Sequence, residues 1–89
     1  MPAPVPGSDM SQEIFRRGLA VETVSAYLLC CALKDEGRPI HRETLLSVWN
    51  AAEEALDAAL SELLADRILV PQQPDGGYAL QPTAAWRRR

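Results

Sequence analysis

Histidine occurs once, at His41, and the two cysteines, Cys30 and Cys31, are neighbours. That leaves no CxxC pair and no Cys/His cluster, so a tetrahedral zinc site has no ligand set to draw on. Adjacent cysteines rarely bridge each other, because a disulfide sets its Cα atoms about 5.5 Å apart. The pair reads as two small buried apolar side chains, which suits a reducing cytoplasm. No Gly-rich phosphate loop is present, and no Ser-His-Asp or Cys-His arrangement can be argued, with His41 in a connecting link beside Arg42. The expectation is a chain that is not an enzyme, with no metal, no cofactor and no small-molecule ligand.

Long apolar runs are also missing. The longest, Ala26 to Leu33, is far below the ~20 residues that span a bilayer. Met1 to Gly7 has no basic region and no apolar stretch of signal-peptide kind. A soluble cytoplasmic protein without a membrane partner is expected. A strong basic excess, which would have pointed to nucleic acid, is absent too: nine basic and twelve acidic residues give −3. What is there is an ordinary globular composition, 47% apolar and 24% charged, in 89 residues, enough for one domain.

Three prolines and a glycine mark residues 1–8 as a flexible tail ahead of a single domain over 9–82. Ser8, Asp9 and Ser11 offer caps for a short helix through Arg17, stopped by Gly18, with Ile14 and Phe15 packing. Val21 to Glu36 is a stronger helix, with Val21, Val24, Leu28, Cys31 and Ala32 at helical spacing and Gly37 at its end. Its stretch from Ala26 to Leu33 is apolar almost all round, so it is either central to the core or shared with a second subunit. Arg38 to His41 is an extended link, since Pro39 disfavours helix at Arg38.

A short helix over Arg42 to Trp49 packs Leu45, Leu46 and Trp49. Asn50 with Glu53 then suggests a capping-box variant opening a longer helix, about Ala51 to Asp66. On it Leu56, Leu60, Leu63 and Leu64 share one face, flanked by Ala52 and Ala59. Ile68-Leu69-Val70 reads as a strand at an edge or ending at Pro71, Gln72 to Gly77 as a turn, and Tyr78-Ala79-Leu80 as the returning strand. Ile68 and Val70 would face the core from one strand, Tyr78 and Leu80 from the other. Thr83 to Arg89 is a basic tail.

The fold class is mainly α with a small β-hairpin. Leu45-Leu46…Asn50, then Ala59-Leu60-Ser61-Glu62-Leu63-Leu64-Ala65-Asp66-Arg67-Ile68-Leu69-Val70, then Asp75-Gly76-Gly77-Tyr78-Ala79-Leu80 resemble the winged-helix family over about residues 21–82. The resemblance implies a three-helix core plus a wing, here with a short extra N-terminal helix. It fixes no function by itself. In DNA-binding members of that family the third helix enters the major groove.

Here residues 51–66 carry Glu53, Glu54, Asp57, Glu62 and Asp66 and no Lys or Arg, a local charge of −5 in a chain of −3, which leaves +2 elsewhere. Phosphate binding needs cations, and this helix has none. Acids at a helix start also complement its dipole, which accounts for Glu53 and Glu54 better than for Asp57. The favoured expectation is therefore a protein-interaction or homodimerisation domain. Glu54, Asp57, Ser61 and Glu62 would meet a basic partner, and Ile14, Phe15, Tyr27 and Leu29 a second copy. The alternative is a small DNA-binding transcriptional regulator with Arg38, Arg42, Arg67 and the C-terminal arginines from Arg87 on phosphates. In that reading Trp86 stacks on a base; the plainer reading packs it on the domain.

Overall fold

The structure, a computed structural model, describes residues 11–72 and 76–87. The Pro-rich segment, the caps at Ser8 and Asp9, the turn tip at 73–75 and the last two arginines lie outside the described residues. Three helices, α1 (Val21–Asp35), α2 (Arg42–Val48) and α3 (Glu53–Ala65), are followed by an antiparallel hairpin of β1 (Leu69–Gln72) and β2 (Gly77–Leu80). The topology is compatible with winged helix. Among the described residues no helix is long and apolar enough to cross a membrane.

The segment before α1 is a short 3-10 helix, Gln12–Arg16, and of the expected caps Ser11 serves it by accepting from the Glu13 amide. Gly18, at φ +70°, ends it as expected. Ile14 is fully buried, but Phe15 is 55% exposed and does not pack. At three residues per turn, consecutive side chains of a 3-10 helix point about 120° apart, so the face that buries Ile14 leaves Phe15 outside.

α1 packs chiefly against α3. Its buried face is Thr23, Ala26, Tyr27, Cys30, Cys31 and Leu33, so of the expected face only Cys31 is in the core and Val24 packs against it, while Val21, Leu28 and Ala32 are exposed. A helix apolar all round does not fix which side faces inward; the packing partner does. α1 ends where glycine was expected to end it. The Gly37 amide donates to Lys34 and the Arg38 amide to Leu33, both at 2.9 Å, with Gly37 at φ +71°. That is a Schellman cap.

α2 runs as expected but ends one residue short of Trp49. α3 starts two residues later than expected, with Ala52 at the cap and no side chain bonded to the free amides, so Asn50 forms no capping box. Leu56, Leu60 and Leu63 are buried with Ala59, while Leu64 is half-buried and Ala52 exposed. Burying a leucine stabilises by roughly 1.5–3 kcal/mol before entropy is counted. α3 closes with a second Schellman cap, Arg67 amide to Leu64 and Ile68 amide to Leu63, but here Arg67 takes the left-handed position at φ +58°.

In the hairpin Leu69 faces Leu80 and Pro71 faces Tyr78. The Tyr78 amide points away from β1 and donates to the Ile40 carbonyl at 2.8 Å. Pro71 therefore sits in a non-hydrogen-bonded pair, where its missing donor costs the ladder nothing, and β1 runs through it to Gln72. Ile68 and Leu69 are fully buried and Val70 is half-buried, so the core takes two consecutive residues rather than the alternating pair Ile68 and Val70. Ile68 precedes the strand, which frees it from the strict alternation. A Cβ on Gly77 would stand 2.8 Å from the Ile40 carbonyl oxygen, so only glycine fits there without a shift.

The stretch from Thr83 to Arg87 is not a free tail. It makes a 3-10 turn, Thr83–Ala85, and lays Trp86 in the core, 5% exposed and edge-on to Tyr27 at 5.7 Å between ring centres. The Trp86 indole donates to the Gln81 carbonyl at 2.9 Å.

Candidate functional site

The outer face of α3 is acidic, as the sequence indicates, but its charges are not free. Arg42, the first residue of α2, reaches across to it. Its Nε and one terminal nitrogen donate to the two oxygens of Asp57 at 2.7 and 3.0 Å, and the same terminal nitrogen donates to Glu53 at 2.7 Å. Glu53 and Asp57 stand one turn apart on α3, so a single guanidinium fork reaches both. These hydrogen bonds hold the Asp57 carboxyl below its ordinary range. The same bonds, to Asp57 first and Glu53 second, push Arg42 up.

Asp66, at the other end of α3, is buried and paired with Arg17 at 3.4 Å. Arg17 is itself almost enclosed, its side chain 11% exposed. It also donates to the Arg87 carbonyl at 2.5 Å and lies over the Trp86 ring, 5.5 Å from its centre. Its Nε is buried with no hydrogen-bond partner. Arg17 thus ties the segment before α1 to the end of α3 and to the C-terminal segment. With Arg42 and Arg17 counted, Glu54 and Glu62 are the two α3 acids that make no ion pair among the described residues.

The residues of the DNA-binding alternative are scattered. Arg42 is engaged as above, and Trp86 is inside the core, which removes it from base stacking. Arg38 is exposed beside Glu36 at 3.5 Å and lines a furrow against the hairpin with Lys34 and Tyr78. Arg67 and Arg87 line a different furrow with Ala84. Of the residues expected at a dimer contact, Ile14 and Tyr27 are inside the domain's own core, Leu29 is half-buried and Phe15 is exposed. Tyr27 is held there by its hydroxyl, which accepts from the Ser11 amide at 2.9 Å. Cys30 is fully buried, and burial first, then Cys31, pushes its thiol up to about 12. A thiol held protonated is a poor nucleophile.

The sequence reading missed a groove of about 430 Å³ between α1 and α2. Val21, Leu28 and Leu29 line one side, Val48, Trp49 and Ala51 the other. Val21 is 78% exposed, Val48 49% and Leu28 36%; among the described residues only Phe15 joins them as an exposed large apolar side chain. The Trp49 indole donates to the Ala52 carbonyl at 3.0 Å, which fixes the ring at the α2–α3 turn. The available signal was the apolar residues of α1 left over once one face is assigned to the core. Beside the groove, past Glu22, a second furrow of small residues runs between α1 and α3 and is lined by Ala20, Ala55, Ala58 and Glu62.

No protein-family model, curated protein or solved structure matches the chain. The likeness to winged helix stands on element order: three helices, then an antiparallel hairpin.

Proposed function

We propose that this chain is a non-enzymatic winged-helix-type domain whose task is to bind a protein. The observation that carries the reading is the capture of Arg42 by Glu53 and Asp57. Arg42 contacts Glu53, the first residue of α3, and a helix that reads DNA would hold such a residue free for phosphate. Instead it is spent on the domain's own carboxylates. The outer face of α3 then presents Glu54, Ser61 and Glu62 with no available cation. Phosphate binding depends on cations, so this face suits protein rather than nucleic acid.

One observation favours the DNA reading: Lys34 and Arg38 share a furrow along the hairpin. Fluorescence anisotropy with labelled duplex DNA at low salt separates the two. The protein-binding reading expects no binding below about 100 µM, the weak limit of non-specific association. Salt-dependent binding at about 1 µM, lost on Arg38→Ala with Lys34→Ala, would replace it with the alternative.

A further inference from the structure

We infer that the groove between α1 and α2 receives an amphipathic helix of a partner protein, one whose apolar stripe is flanked by Lys or Arg. The inference rests on the protein-binding reading above and gives it a place and a partner chemistry. Three of the four exposed large apolar side chains among the described residues, Val21, Leu28 and Val48, line this one groove. Their gathering in one groove, rather than singly over the surface, makes it the candidate contact site. Val21, Ser25, Leu28 and Leu29 lie along one side of α1 over roughly 12 Å, at 1.5 Å rise per residue. That length accepts two turns of a helix, contacting at i, i+3 or i+4, and i+7.

Charge selects the partner. The residues lining the groove and the furrow beside it include Glu22 and Glu62 and no Lys or Arg. Glu22 borders both surfaces. Neither carboxylate makes an ion pair among the described residues, so both are available to cations flanking an apolar stripe. A second copy of this chain fits less well. Its own groove brings no Lys or Arg to meet Glu22, in a chain that already carries −3. Nucleic acid finds no cation there.

The test uses the full chain, ¹⁵N-labelled, titrated with a synthetic Leu/Lys amphipathic helical peptide and with its Leu/Glu counterpart. The expected result is binding of the Leu/Lys peptide with shifts centred on Val21, Leu28, Val48 and Ala51. Val48→Asp, at an exposed position, weakens it by at least ~10-fold. Glu22→Lys with Glu62→Lys weakens it by roughly 3–10-fold at low salt, a difference that fades at high salt. Equal binding of the Leu/Glu peptide, or Leu/Lys binding unchanged by Val48→Asp, overturns the inference. So does a dimer in sedimentation equilibrium that Val48→Asp dissolves, since the occupant would then be a second copy. Absence of both peptide and DNA binding sinks this inference alone. DNA binding with a silent groove sinks the protein-binding reading as well.

Discussion

The outer face of α3 and the groove between α1 and α2 are neighbouring surfaces with opposite character. The α3 face carries most of the charge of residues 51–66, yet three of that segment's five acids, the buried Asp66 among them, are matched by Arg42 and Arg17 from elsewhere in the chain. The groove carries little charge and leaves Val21, Leu28 and Val48 uncovered. One surface is satisfied by the fold and the other is not. A local charge sum counts only residues near in sequence, whereas ion pairs form in space. The −5 of residues 51–66 therefore overstates how anionic that surface is.

The largest effect that would sharpen the contrast is at the buried arginine. Arg17→Ala removes the ion pair with Asp66 and the cover over Trp86, and should cost about 3 kcal/mol in denaturant unfolding. A loss within ordinary surface scatter would break the claim that this pair is structural. Arg67→Gly should act the other way. It replaces the side chain held at φ +58° in the α3 cap with the residue that takes the same position in α1, and should stabilise by about 1 kcal/mol. Thermal unfolding of the two variants side by side ranks them.

Val48→Asp comes next and should be near neutral, within about 0.5 kcal/mol, because the side chain is half exposed. A large loss of stability would mean that the groove is part of the core. The smallest effect is electrostatic. Arg42→Ala should return the Asp57 carboxyl toward its ordinary value of 3.8, seen by side-chain NMR titration. The sign follows from linkage: Asp57 is depressed in the fold, so the stability it contributes is complete above the ordinary value and is lost as pH falls through the folded one. The wild type should therefore lose slightly more stability than Arg42→Ala over that acid range.

Much of the fold was legible in local signals. The glycine at the end of α1, the leucine face of α3 and the Gly76-Gly77 turn before Tyr78 each express a rule that acts over a few residues. What was not legible depended on distant partners. Arg42 meets Asp57 across 15 positions, and the Arg17 guanidinium meets the Arg87 carbonyl across 70. Packing of Trp86 on the domain was the plainer expectation, but its partners there, Tyr27 and Arg17, lie far off in sequence. The inward face of α1 was open to misreading because its apolar residues surround it. The groove went unseen for the same reason: Val21 and Leu28 were counted toward a core that Tyr27 and Cys30 fill. Asn50 failed as a cap because the turn tied by Trp49 to Ala52 delays the helix start.

The central claim is that the domain meets its partner through the apolar groove and not through the acidic face of α3. Amide shift mapping with the Leu/Lys peptide tests it most directly. The account predicts perturbations at Val21, Leu28, Val48 and Ala51, with Glu53 and Asp57 unmoved in their hold on Arg42. Shifts centred on Glu53, Glu54 and Asp57, with the groove silent, would contradict it.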